Sequence, residues 1–214
     1  MRIAIFGASR GVGRAAVDAA VAAGHAVTAF ARTAGTLAST AADVVTGDVL
    51  DERAVVAALA GADATIVALG VTPGARSTTP EDICSRGTQT IVAALAGTTA
   101  RRIVIVTSYG VGETRSRTPF LFSIFAKTVL RGIMADKERQ ERDIRASGLD
   151  WTIVQPLGLT DDPASGRPYV STDGSRRTTR VSRADVAAVC LDAIEHARYI
   201  GASISVSASS DQPA

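Results

Sequence analysis

Cysteine is scarce in this sequence: Cys84 and Cys190 stand far apart with no CxxC spacing. That excludes a disulfide framework and a cysteine-based zinc cluster, and buried structural thiols are expected. Histidine is equally rare. His25 and His196 each stand alone at an expected element end, with no HExxH pattern, so no metal site is expected. No run of about 18 apolar residues occurs, which excludes a membrane-spanning helix. Ile3, Ala4, Ile5 and Phe6 lead straight into a glycine turn and not through a basic segment, apolar helix and cleavage site in series; the expected compartment is the cytoplasm. Charge of one sign is missing too. Lys and Arg number 23 against 21 Asp and Glu, a net +2 that does not point to nucleic acid. Arg176, Arg177, Arg180 and Arg183 cluster locally without interleaved aromatic residues, as a solvated loop and helix start would.

What is present is globular composition. With 214 residues, 46% hydrophobic and 21% charged, the chain is expected to form one domain over residues 1–214. Short β-branched apolar runs alternate with longer Ala-rich amphipathic stretches, which predicts an α/β fold with a parallel sheet covered by helices. Strands are expected near residues 2 to 6, 26 to 30, 43 to 46, 64 to 68, 102 to 106 and 151 to 155. Helices are expected near 11 to 23, 52 to 60, 80 to 96, 120 to 146 and 183 to 197. In the last of these, Val186, Val189, Cys190, Ala193 and Ile194 show the spacing of a helix lying on a sheet. A short final strand, Ile204 to Val206, is expected to add to one edge, and the polar tail from Ser207 to fray. Val71 to Pro80 and Gly158 to Arg180 resist a strand-helix reading; open α/β sheets place their binding loops in such segments.

The segment Ile3-Ala4-Ile5-Phe6-Gly7-Ala8-Ser9-Arg10-Gly11-Val12-Gly13-Arg14 reads as an apolar strand, a turn with glycines spaced GxxxGxG, and a helix start. Gly7 permits a tight exit from the strand, Gly11 lets backbone approach a diphosphate, and Gly13 lets the helix pack closely on the strand. The helix N-terminus offers free N–H groups and partial positive charge to phosphates. Because the turn follows a strand and opens a helix, a dinucleotide site is expected on Gly7, Ser9, Arg10, Gly11, Val12 and Gly13. An acidic residue at the end of the second strand would bind the ribose hydroxyls and repel a 2′-phosphate. Here Ala31, Arg32 and Thr33 stand at that position, and Arg10 lies on the same side. Two guanidinium groups and a hydroxyl suit a phosphate monoester, so NADP(H) is expected in preference to NAD(H). Gly47-Asp48-Val49 follows the third strand, where Asp48 either meets the adenine amino group or caps the next helix, a task open to Asp51 as well.

Together with Thr107-Ser108-Tyr109-Gly110 and Ser147-Gly148-Leu149-Asp150-Trp151-Thr152-Ile153-Val154-Gln155-Pro156, these motifs resemble an atypical short-chain dehydrogenase/reductase. The similarity is to NmrA-like proteins and to NAD(P)H-binding proteins of the biliverdin reductase B, or flavin reductase, type, and it spans nearly the whole chain. It implies a three-layer, doubly wound Rossmann sheet ordered 3-2-1-4-5-6 with the cofactor across the strand C-termini. Ala68, Leu69 and Gly70 after the fourth strand, Val49 after the third, Thr107 after the fifth, and Pro156-Leu157-Gly158 after the sixth are the further cofactor contacts this implies.

One departure bears on chemistry. Short-chain dehydrogenases that work on alcohols and carbonyls use a YxxxK pair, the Lys lowering the tyrosine pKa. Tyr109 is followed at that spacing by Glu113, which would raise it. Hydride transfer to a flavin or quinone demands less, because the reduced acceptor is a stabilised anion that solvent protonates. The resemblance therefore implies an NADPH-dependent reductase of a planar conjugated acceptor, or, as its alternative, a NADP(H)-sensing regulator with little turnover; the missing pair weighs against an epimerase. Catalytic candidates are Ser108 and Tyr109 at the tip of the fifth strand and Lys137. Ser108 either bonds the nicotinamide or closes the turn before Gly110. Lys137, one of two lysines beside 21 arginines, is spaced from Ile133 and Ile144 onto the inward face of its helix. It either meets the cofactor's ribose or nicotinamide region or pairs with Glu141. Phe120, Leu121, Phe122, Ile124 and Phe125 form either an acceptor-pocket wall or a core or subunit contact, and the chain is expected to be a monomer or homodimer.

Overall fold

The computed structural model describes residues 1–35, 37, 40–71, 81–118 and 130–209. Along the chain run β1 (Arg2–Phe6), α1 (Gly11–Ala22), β2 (Ala26–Ala31), β3 (Asp43–Thr46), α2 (Glu52–Leu59), β4 (Ala64–Val67), α3 (Ile83–Leu95), β5 (Arg102–Val106) and α4 (Arg131–Arg145). Then follow β6 (Asp150–Pro156), β7 (Leu159–Thr160), β8 (Tyr169–Ser171), β9 (Val181–Ser182), α5 (Arg183–Glu195) and β10 (Ala202–Ser207). The main sheet is ordered β3-β2-β1-β4-β5-β6-β10-β8. All its pairings are parallel except that of β8 with β10. The 3-2-1-4-5-6 order is thus the observed one, in a Rossmann-like α/β fold.

Alternation along each strand builds two cores. Ile3 and Ile5 point to the face covered by Val12 and Val17 of α1 and Val186 and Ile194 of α5. Ala4 and Phe6 point to the opposite face, under Leu59 of α2, Ile91 and Leu95 of α3 and Ile144 of α4. A sheet buried on both faces needs apolar residues at consecutive positions, and β1, β4 and β5 supply them.

Several expectations are corrected. The last strand is Ala202–Ser207, longer than Ile204 to Val206, and lies inside the edge, since β8 pairs antiparallel outside it. Its serines hid its length, yet each is buried and bonded. Ser203 accepts from Arg145 at 2.7 Å, Ser205 donates to the Ser175 carbonyl at 2.6 Å, and Ser207 accepts from the Arg177 N–H at 3.1 Å. Ser207 and Ala208 are therefore fixed in place and do not begin a frayed tail. Gly158 to Arg180, read as irregular, contains β7 and β8. The helix expected from residue 80 begins at Ile83. The helix expected over 120 to 146 is observed as Arg131–Arg145; the Phe120 to Phe125 segment and residues 72–80 lie outside the described residues. Cys84 and Cys190 are buried free thiols, and burial pushes Cys190 up to about 12.

Candidate functional site

The glycine turn is tight because backbone touches backbone. A Cβ on Gly7 would lie 2.4 Å from the Ala68 carbonyl oxygen, and one on Gly13 only 2.2 Å from that of Gly7. Gly7 and Gly11 also adopt positive φ, +80° and +59°, which side chains disfavour. Arg10 is the residue before α1 and makes no side-chain cap, so the first-turn amides of α1 have no acceptor within the helix.

These amides open onto a cleft of about 650 Å³ along the C-terminal edge of the sheet. The turn contributes Gly7, Ser9, Arg10, Gly11 and Val12; β2 ends at the cleft with Ala31 followed by Arg32. Gly47, Asp48 and Val49 form the wall after β3, and Ala68 to Val71 the wall after β4. Val106, Thr107 and Lys137 line the far end, after β5. Asp51 caps α2, accepting from the Arg53 N–H at 3.0 Å, whereas Asp48 accepts from the Leu50 N–H at 2.9 Å and stays on the cleft wall. Thr33 and Gly13 are not on the wall.

The inward face of α4 ends on the buried Ile144 but is polar before it, although the spacing of Ile133 and Ile144 suggested an apolar one. Asp136, Lys137, Gln140 and Glu141 are all buried there, and each is bonded. Asp136 accepts from the N–H groups of Cys84 at 2.8 Å and Ser85 at 3.2 Å, so α4 caps α3. Glu141, fully buried, accepts from the Thr107 hydroxyl at 2.6 Å, the Gln155 amide at 2.8 Å and Arg145 at 3.2 Å. Lys137 does not pair with Glu141. Its ammonium donates to the carbonyls of Leu69 at 2.7 Å and Val106 at 3.0 Å and to Gln140 Oε1 at 3.2 Å. All three acceptors are neutral, and they hold the Lys137 side chain between the ends of β4 and β5.

Ser108 and Tyr109 do not line the cleft. The Tyr109 hydroxyl donates to the Gly174 carbonyl at 3.0 Å and accepts from Arg176 at 3.2 Å, whose guanidinium lies over the ring. Ser108 donates to the Tyr109 carbonyl at 3.2 Å, a turn-closing bond. Nor do Pro156, Leu157 and Gly158 reach the wall. Their backbone forms a seam: Pro156 accepts from the Tyr109 N–H at 3.1 Å, Leu157 donates to Val206 at 3.1 Å, and Gly158 accepts from Val181 at 3.1 Å.

The cleft also holds Phe30, Ile83, Val106 and Arg183, which the sequence reading did not place there, and Leu159 and Asp161, which it offered only as part of the irregular Gly158 to Arg180 segment. A signal for Arg183 existed. Ser182-Arg183-Ala184-Asp185 has capping-box spacing, and Ser182 Oγ does accept from the Asp185 N–H at 3.0 Å. That pattern fixes Arg183 at a helix N-terminus on the ligand-binding edge. Among the described lining residues are the four cationic side chains of Arg10, Arg32, Lys137 and Arg183 and the two carboxylates of Asp48 and Asp161, a balance that suits a multiply anionic ligand.

Fold and cleft together define a dinucleotide-binding protein of the doubly wound α/β class. The chain belongs to the NAD(P)H-binding family, whose model matches residues 7–197. Among solved structures it is similar to ChuY, an anaerobilin reductase from Escherichia coli O157:H7, with 25% identity, a TM-score of 0.81 and 100% of each chain covered. A Rossmann-fold NAD(P)-binding family protein from Shigella flexneri is 25% identical with a TM-score of 0.71, over 100% of this chain and 98% of that one. An uncharacterised chloroplastic protein of Arabidopsis thaliana is 26% identical over 205 residues, 90% of this chain and 71% of that protein. Among the described residues no helix is long and apolar enough to cross a membrane.

Proposed function

We propose that this chain is an NADPH-dependent oxidoreductase that passes hydride to a flavin, quinone or similar planar conjugated acceptor. The observation that carries the cofactor half is the pairing of Arg10 and Arg32 on the cleft wall where an NAD-specific site would hold an acid. The residues fit a dinucleotide: the absent side chains at Gly7 and Gly13 leave room only for backbone, and the α1 amides are open toward the cleft.

Bound NADPH would supply the hydride. The α1 amides hold the diphosphate, Arg10 and Arg32 the 2′-phosphate, and Asp48 the adenine. Lys137 donates to neutral carbonyls and to no carboxylate, so its ammonium is placed to stabilise negative charge developing at the end of the cleft. Thr107 spends its proton on Glu141 and presents only oxygen lone pairs to a ligand. Tyr109, donating to Gly174, is not positioned as a proton donor in the cleft, and this supports an acceptor whose reduced anion takes its proton from water. The reductase activity named for ChuY supports the same class. The equilibrium test is titration of the protein with NADPH and with NADH, followed by nicotinamide fluorescence. NADPH is expected to bind at least about ten-fold tighter, the worth of one charge-assisted contact; equal affinities would contradict the phosphate assignment.

A further inference from the structure

We propose that Arg183 is a diphosphate-binding residue of the cleft, held by Asp161 until a dinucleotide takes the carboxylate's place. This rests on the dinucleotide reading above. Arg183 is the first residue of α5, and Gly11 is the first residue of α1. A Cβ built on Gly11 would lie 3.7 Å from the Arg183 Nε and 3.8 Å from its Cδ. The guanidinium therefore crosses the N-terminus of α1, where the glycine turn brings a diphosphate against backbone amides. The missing side chain of Gly11 leaves the space between them open.

The surrounding structure fixes this placement. β7 pairs with β9 in the register Leu159 to Val181 and Thr160 to Ser182, which sets Asp161 opposite Arg183 one residue on. Their ion pair measures 2.8 Å. Asp185, fully buried, accepts from the Ser165 N–H at 3.0 Å, the Ser165 hydroxyl at 2.9 Å and the Gly166 N–H at 3.1 Å. It thereby ties the segment carrying Asp161 to the start of α5. The two partners differ in setting: the Arg183 side chain is 29% exposed and that of Asp161 is 89% exposed. An ion pair with so exposed a carboxylate contributes little and yields easily to a diphosphate, which offers a guanidinium several anionic oxygens at bidentate spacing. The diphosphate is common to NADPH and NADH, so Arg183 strengthens both without distinguishing them, unlike Arg10 and Arg32.

The test compares wild type with R183Q for affinity toward NADPH, NADH and adenosine 2′-monophosphate, which carries the 2′-phosphate and lacks a diphosphate, with circular dichroism confirming the fold. Both dinucleotides are expected to weaken by the same factor, about ten-fold, with adenosine 2′-monophosphate unchanged. In D161N, removal of the competing carboxylate is expected to tighten both dinucleotides about two- to five-fold. Dinucleotide affinities unchanged in R183Q would overturn the assignment, as would a loss of adenosine 2′-monophosphate binding, which would place Arg183 on the 2′-phosphate. Should R183Q not fold, D161N carries the test, and no tightening overturns it. Wild-type protein that binds neither dinucleotide overturns the functional reading and this assignment together; wild-type binding with no change in R183Q overturns this assignment alone.

Discussion

Replacing Arg10 and Arg32 together with alanine is expected to weaken NADPH binding roughly 100-fold, at about 1.5 kcal/mol for each charge-assisted contact, and to leave NADH within about two-fold. Both side chains reach the cleft wall at the end of β2 and in the glycine turn, and neither position is part of either hydrophobic core. Stability should therefore be unchanged. Both side chains are exposed, so the wild-type preference for NADPH should shrink as ionic strength rises and the Debye length falls below about 10 Å. Isothermal titration of both cofactors at two salt concentrations checks the pair of statements. Equal losses for NADPH and NADH would mean that these arginines contact a group common to both.

The second large effect concerns stability. Glu141→Leu is expected to lower the free energy of unfolding by about 3 to 5 kcal/mol, the cost of breaking a buried ionic network by removing one partner. The carboxylate is fully buried and accepts from Thr107, Gln155 and Arg145; leucine leaves the Gln155 and Arg145 donors with one acceptor fewer and frees the Thr107 hydroxyl to turn. Cofactor affinity should fall as well, because Thr107 is on the cleft wall. Urea denaturation measures the first effect. A loss below about 1 kcal/mol would show that water or a shifted side chain replaces the carboxylate.

These two cases also mark what was legible in the sequence. Arg10 and Arg32 follow from local rules: a strand, a glycine turn and the residue type just past the second strand. The parallel sheet likewise follows from apolar runs such as Ile103-Val104-Ile105 that are buried on both faces, whereas the order of its strands came from the family resemblance and not from any run. Glu141 was legible only as an i,i+4 neighbour of Lys137. Its partners Thr107 and Gln155 come from β5's exit and β6, and such pairing across the sheet leaves no mark in sequence spacing. Lys137 was placed inward from Ile133 and Ile144 and is inward, as is Ile144, yet that face also buries Asp136, Gln140 and Glu141, whose burial depends on acceptors and donors in distant segments. β7, β8 and β9 are two or three residues long, too short for any period to show. β7 and β9 carry Asp161 and Arg183 to the cleft, so the sequence offered Asp161 only as part of an irregular binding segment and did not place Arg183 at all. Tyr109 was placed at the site by its position at the tip of the fifth strand, and the contacts of its hydroxyl with Gly174 and Arg176 come from a segment 65 to 67 residues away that spacing does not reveal.

The measurement that bears most directly on the central claim is steady-state loss of reduced-nicotinamide absorbance, with NADPH or NADH and a panel of free flavins and quinones. The account predicts turnover above the protein-free control, faster with NADPH, and abolition of that preference in the Arg10→Ala, Arg32→Ala protein. NADPH binding without turnover on any member of the panel would contradict it and leave a cofactor-binding regulator.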